Sequence, residues 1–198
     1  MKIRLLTALE ALKTRLRLTR PFDISTSRGK TSEIIGALLL LKNPLARISR
    51  TETKGTPFSA LGELIWYLSK TNNLDFISYY IPKYIEESED GKTIYGGYGP
   101  RLFNFHDKFN QVEIVIDLLR RKPSTRRAVI QLFDAEDIVE KRIEIPCTCT
   151  LQFMIRNNKL HMFTSMRSND AFLGLPHDIF TFTLFQEIIA RTLNVELG

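Results

Sequence analysis

A chain of 198 residues with 43% apolar content holds enough hydrophobic side chain to build a substantial core in a single domain. Its 28 Lys and Arg against 22 Asp and Glu leave a net charge of +6, which admits phosphates and nucleotides; the aromatics are not interleaved with the basic residues as in a strand-binding groove, so nucleic acid is not the expected partner. Two cysteines argue against a secreted disulfide scaffold, and no apolar stretch approaches the roughly 18–20 residues of a membrane-spanning helix, so a cytoplasmic protein with no membrane partner is expected.

In chain order, "MKIRLLTALEALKTRLRLTR" reads as an amphipathic helix on the spacing of Leu5, Leu6, Leu9, Leu12 and Leu16, since it lacks the apolar core and cleavage site of a leader peptide. "ISTSRGKTSE" is expected as a polar loop, and the apolar run "IIGALLLLKNP" is too short to assign by period. "PFSALGELIWYLSK" predicts a helix capped near Ser59, with Leu61, Leu64, Ile65 and Leu68 as its stripe. "ESEDGKTIYGGYGPR" reads as a Gly-rich loop, and "FNQVEIVIDLLRRKP" as a second amphipathic helix stopped by Pro123. "RRAVIQLFD" predicts a strand. "TLQFMIRNNKLHMFTSMRS" predicts two more, joined at Asn157–Asn158, a pair that tolerates the positive φ of a tight hairpin. "DIFTFTLFQEIIARTLN" closes as a long buried helix. Without a linker or a repeat, residues 1–198 are expected to form one α/β domain.

The only cysteines, Cys147 and Cys149, lie one residue apart in "EIPCTCTLQF". A metal site needs about four ligands, or three and a water, and His106, His161 and His177 show neither finger nor H-E-x-x-H spacing. A redox pair is usually C-x-x-C, and strand positions i and i+2 share a face but sit too far apart for a relaxed disulfide. From composition alone, two buried thiols acting as small hydrophobes is the better reading.

Four segments change that: "GELIWYL" (62–68), "STRRAVI" (124–130), "IPCTCTLQF" (145–153) and "MRSNDAFLGLPHDIF" (166–180). In this order and at these intervals they resemble the thymidylate synthase superfamily, loosely from about Arg28 and closely from Ser124 onward. The resemblance implies an α/β thymidylate synthase-like fold, a mixed β-sheet flanked by helices, assembled as an isologous homodimer. It also implies a pyrimidine nucleotide monophosphate as substrate and 5,10-methylenetetrahydrofolate as cofactor. Within it Cys147 is the nucleophile that adds to pyrimidine C6, as thiolate chemistry suits. Cys149, by strand parity, is a core thiol beside it. Arg167 and Ser168 contact the phosphate, with Arg167 also beside the cysteine, and Arg126 and Arg127 reach the phosphate from the partner subunit. Arg28 fits a further phosphate arginine. Glu63 serves proton movement about the base, while Asp170, Gly174 and Tyr95 line the base pocket.

Departures from the family pattern carry the substrate reading. Where thymidylate synthases have "L-P-F-N-I", this chain has "LPHDI", so Asp178 replaces an Asn. An amide matches the acceptor and donor of uracil, whereas a carboxylate accepts from N4 of cytosine and one shared proton completes the N3 contact. In this superfamily that Asp marks the deoxycytidylate and cytidylate hydroxymethylases. The run "YYIPKYIEES" also lacks the tryptophans that shield the one-carbon intermediate from water. The expected reaction is therefore C5 hydroxymethylation of dCMP or CMP. Thymidylate synthesis from dUMP and a non-catalytic nucleotide- or RNA-binding dimer remain as alternatives. Thr148 stands where a His commonly follows the cysteine, and no role is assigned to it or to His177. The family's C-terminal H-x-Y motif is expected beyond "NVELG", so part of the family fold is missing from this sequence.

Overall fold

The computed structural model describes residues 22–26, 29–47 and 57–198, and the chain divides into two compact units, Met1–Lys54 and Gly55–Gly198. The expected N-terminal helix and Arg28 lie outside the described residues. In the first unit β1 (Phe22–Thr26) pairs antiparallel with β2 (Gly29–Glu33). The stretch expected as a polar loop is thus a hairpin. The β2 strand is exposed throughout, and its Ser32 Oγ donates to the facing Asp23 Oδ1 at 2.7 Å. The apolar run that follows is turns and bends, interrupted at Gly36, whose φ is 69°.

The second unit has the α/β architecture expected from the sequence. Helices α1 (Pro57–Leu68), α2 (Leu74–Tyr80), α3 (Tyr98–Phe103), α4 (Gln111–Arg121) and α5 (Gly174–Thr192) pack about a sheet of four strands. These are β3 (Val129–Gln131), β4 (Thr148–Arg156), β5 (Lys159–Met166) and β6 (Glu196–Leu197), adjacent in that order. The first two pairings are antiparallel and β5–β6 is parallel, so the sheet is mixed. Asn157 and Asn158 take φ of 51° and 57° at the β4–β5 turn, as the sequence predicts.

Local chemistry sets the helix ends. Pro57 opens α1, where its missing N–H costs nothing. The helix thus begins before Ser59, which is not the cap the sequence led us to expect. Asn110 caps α4 by accepting from the Glu113 N–H. The α5 helix starts four residues before the predicted Asp178, because Pro176 falls in its first turn, where proline is tolerated.

Alternation along the strands builds the core. Ile130, Leu151, Phe153 and Leu160 are fully buried, and Phe153 meets Phe185 of α5 edge-on at 6.3 Å. Two side-chain bonds fix α5. Gln186 Nε2 donates to the Leu160 carbonyl at 2.8 Å, and Thr181 Oγ1 donates to the Ala60 carbonyl at 3.3 Å, tying α5 to the sheet and to α1. Among the described residues, no helix is long and apolar enough to cross a membrane.

Gly62 sits where α1 meets the Tyr80 ring: a Cβ there would lie 2.2 Å from Tyr80 Cγ. Gly62→Ala should lower the melting temperature. Overpacking at the rigid base of a ring costs about 1–3 kcal/mol, against about 1 kcal/mol gained in helix propensity. A raised melting temperature in a thermal scan would show that α1 and Tyr80 are not in contact.

Candidate active site

Cys147 lies just before β4, half-buried, at the end of a segment that Arg167 holds in place. Arg167 follows β5 directly. Its backbone N–H donates to the Cys147 carbonyl at 2.9 Å, its Nε to the Pro146 carbonyl at 2.8 Å and its Nη2 to the Ile145 carbonyl at 2.9 Å. The same Nη2 stands 3.8 Å from Cys147 Sγ. The guanidinium is thereby fixed beside the sulfur, as the sequence reading of Arg167 requires.

Cys149 is not placed as strand parity implies. The β4–β5 register shifts between Thr148 and Thr150, so a β-bulge absorbs Cys149, whose carbonyl accepts from both Leu132 N and Phe133 N at 2.9 and 3.2 Å. A bulge re-aims side chains on either side of it, and Cys149 is half-buried rather than a core residue. Neither cysteine forms a disulfide. Thr148 is fully buried, and its N–H donates to the Tyr98 hydroxyl at 3.1 Å.

Glu63 projects from α1 and is 7% exposed. The Tyr84 hydroxyl donates to its Oε1 at 2.8 Å, from the 3-10 turn Pro82–Glu87. Its Oε2 lies 3.5 Å from His177 Nδ1 in the first turn of α5, and His177 Nε2 is 3.1 Å from Ser59 Oγ. Pairing with Glu63 raises the His177 pKa, against the opposing effect of burial.

Asp178, next in the chain, receives a 2.6 Å hydrogen bond at Oδ2 from Asn169 Nδ2. Burial, then the charge of Glu63, push its pKa up to about 7, although the Asn169 bond and His177 pull the other way. Burial and the Asp178 charge also raise the Tyr98 phenol, which feels Cys147 as well. One region therefore holds Cys147, Arg167, Tyr98, Asp178 and Glu63. A Cβ at Gly174 would sit 3.7 Å from Asp178 Oδ2 and from Asp170 Cβ, ordinary contacts, so the glycine leaves open space between the two acids. Asp170 spends Oδ1 on the Phe172 and Leu173 N–H groups at 2.8 Å each, shaping the turn into α5. Ser168 is exposed beside it.

Three residues singled out in the sequence do not join this group within the chain. Arg126 and Arg127 are exposed at the start of β3, where the Arg126 carbonyl accepts from Gln152 Nε2 at 2.9 Å. Gln152 is five residues along from Cys147, roughly 16 Å at about 3.3 Å per strand residue. Tyr95 turns away. Its ring lies 4.3 Å from the Arg142 guanidinium carbon and 5.3 Å from that of Arg101, and its hydroxyl bonds Asp137. Asp137 is in turn held by Arg101 at 2.7 and 3.0 Å. Tyr98, three residues on, presents its hydroxyl to the cysteine strand.

Sequence reasoning missed Ser59, Tyr84, Tyr98, Asn169 and Glu144. Glu144, three residues before the cysteine, is packed against Gly96, where a Cβ would meet its Oε2 at 2.2 Å. Burial, then the charge of Glu87, raise its pKa to about 7. An acid leading into an apolar strand was the available signal.

A family model described as "Thymidylate synthase" matches residues 40–198. A deoxyuridylate hydroxymethyltransferase of Delftia phage PhiW-14 is 28% identical over 158 residues, covering 73% of this chain and 43% of its own. One of Bacillus phage SP01 is 28% identical over 190 residues, covering 89% and 50%. A thymidylate synthase of Francisella tularensis subsp. holarctica is 27% identical over 157 residues, covering 71% and 56%. Among solved structures, the T4 phage thymidylate synthase superposes with a TM-score of 0.64 at 25% identity, covering 73% of this chain and 56% of that one. Thermostable thymidylate synthase A from Bacillus subtilis gives 0.59 at 29%, covering 71% and 53%. The chain spans about half the length of the curated relatives it matches.

Proposed function

This chain belongs to the thymidylate synthase family, and from that premise we propose that it carries the nucleotide site of an enzyme that hydroxymethylates C5 of a cytidine nucleotide monophosphate, dCMP or CMP. The observation that carries the reading is Asp178: a half-buried carboxyl beside Glu63, with one oxygen taken by Asn169 and the other left for a base edge.

The chain's groups divide the work as follows. A guanidinium next to the sulfur favours the anionic nucleophile, so Cys147 Sγ bonds C6 of the pyrimidine and the displaced electron pair makes C5 nucleophilic. C5 takes up the one-carbon unit and gives up its proton, which Glu63 handles with Tyr84. As that proton leaves, the carbon–nitrogen bond to the folate breaks and tetrahydrofolate is released; water then adds to the transferred carbon, and the S–C6 bond breaks to return the sulfur. The folate supplies that carbon as a methylene at the oxidation level of formaldehyde. Phe172 and Leu173, 62% and 69% exposed, make an apolar ledge beside Gly174 that fits a flat fused ring. Arg167 Nη1, Ser168 and, across a homodimer, Arg126 and Arg127 receive the phosphate, for which forked guanidinium donors are suited. The position of Arg126 and Arg127, far along the strand from Cys147 and facing solvent, supports action on a neighbouring subunit.

A second reading, the same reaction on a uridine nucleotide, is favoured by the printed names of two phage relatives, which are deoxyuridylate hydroxymethyltransferases. Mass spectrometry of products from dCMP, CMP and dUMP with the folate separates the readings. Gain of CH2O on a cytosine nucleotide supports the first, gain of CH2O on dUMP the second, and gain of CH2 on dUMP would make it a methylating synthase.

The dimer makes its own prediction. Equal mixing of Arg126→Ala/Arg127→Ala chains with Cys147→Ser chains should restore about a quarter of the sites, since half the dimers are hybrids and each has one intact site of two. A mixture that stays inactive despite verified subunit exchange places both arginines in their own subunit's site or outside catalysis.

A further inference from the structure

His177 is left without a task by the chemistry above, yet both of its ring nitrogens are engaged. Nδ1 faces Glu63 Oε2 at 3.5 Å and Nε2 faces Ser59 Oγ at 3.1 Å. Ser59 and Glu63 are four residues apart and so lie on one side of α1. His177 is four residues before Thr181, whose hydroxyl is bonded to the Ala60 carbonyl. The two helices are thus locked together at the level of this contact. Tyr84 holds the other Glu63 oxygen at 2.8 Å from a third element.

We propose that His177 is the positioning residue for Glu63: anchored by Ser59, its ring holds the second oxygen of the carboxylate while the Tyr84 hydroxyl holds the first, so that an imidazole aims the group that moves protons about the base. This rests on the role given to Glu63 above. A carboxylate gripped at both oxygens from different elements has lost its terminal rotation, which is what proton transfer to a bound ring requires. The ring suits the task in its charged form, because an imidazolium donates from both nitrogens, to Glu63 on one side and to Ser59 on the other.

The charges facing the ring are Glu63 from α1 and Asp178 from its own helix. Beyond them lie the neutral phenols of Tyr84, Tyr67 and Tyr98, all with raised pKa values. Glu63, and Asp178 when ionised, favour the imidazolium. The support is present while the ring is charged and is lost as pH rises through the raised His177 value.

Release of tritium from a C5-tritiated nucleotide measures the step that Glu63 serves. His177→Gln should slow release about tenfold, leave the nucleotide KM within about twofold, and remove the alkaline limb expected in the wild-type pH profile. Ser59→Ala should give a milder loss. The double variant should fall no further than His177→Gln alone, because the hydroxyl acts only through the ring. A profile that superimposes on wild type, or losses that multiply, overturns the proposal. An NMR titration of the His177 ring decides the matter without turnover: its midpoint should fall in Glu63→Gln, and an unchanged midpoint means that the two side chains do not interact. Absence of tritium release from every pyrimidine nucleotide in wild type would instead sink the proposed function, with the titration still deciding the His177–Glu63 contact.

Discussion

Cys147→Ser should abolish turnover, by about three orders of magnitude or more, while Cys149→Ser stays within a few-fold of wild type. The sulfur of Cys147 is the atom that Arg167 flanks, and a hydroxyl at that position is far harder to ionise than a thiol. Binding rests on other groups, so the serine variant should still bind nucleotide with a Kd within about threefold of wild type by calorimetry. Cys149 contributes through its carbonyl, which holds Leu132 and Phe133, and a serine keeps that carbonyl. The bulge makes the test sharper than strand parity would allow, since it separates the environments of two cysteines only two residues apart. Equal loss in both variants would mean that they act as a pair and would remove Cys147 as nucleophile.

Legibility in the sequence followed the range of the interaction. The β4–β5 turn was legible because Asn157–Asn158 encodes its own backbone. The C-terminal end of α4 was legible because Pro123 acts within a turn of where it stands, whereas the Asn110 cap at its start was not read. Arg167 beside Cys147 was legible only through the family resemblance, as twenty residues separate them. Nothing local distinguishes Tyr95 from Tyr98, since each is an aromatic within a glycine-rich stretch, and the charged cluster that captures Tyr95 is assembled from Arg101, Asp137 and Arg142. The Ser59–His177 contact joins residues 118 apart and carries no pattern at either end. The β1–β2 hairpin was illegible for a different reason: polarity reads as a loop signal, but β2 is exposed throughout and has no buried face to alternate with. The β4 bulge was illegible because one extra residue leaves the alternation of Leu151 and Phe153 intact further along.

Asp178→Asn should shift base preference from cytosine toward uracil by about 10- to 100-fold, as the ratio of kcat/KM for dCMP and dUMP. Asn169 already donates to one oxygen of residue 178 at 2.6 Å, and that bond fixes what the rest of the side chain offers. In the aspartate, the free oxygen accepts from the cytosine N4 amino group when ionised and repels uracil O4. In the asparagine, the carbonyl takes the Asn169 bond and the amide turns its N–H groups to the base, a donor for O4 and a mismatch for N4. One unpaired buried polar group costs about 1–3 kcal/mol, which sets the size of the swing. The pH dependence follows from the same atom. With its pKa pushed up to about 7, Asp178 is protonated at pH 6 and presents a donor that tolerates uracil. Wild-type preference for cytosine should therefore strengthen as pH rises through about 7, while the asparagine variant shows no such change. Stability supplies an independent check. The folded state holds the Asp178 proton up to about pH 7 and the unfolded chain loses it near pH 4, so ionisation between these values destabilises the native protein. The melting temperature of wild type should decline as pH rises across that window. The decline should be shallower in Asp178→Asn, with Glu144 contributing what remains. If wild type prefers dUMP at every pH, or the substitution leaves the preference untouched, Asp178 does not read the base, and the deoxyuridylate reaction named for the phage relatives becomes the better account of this site.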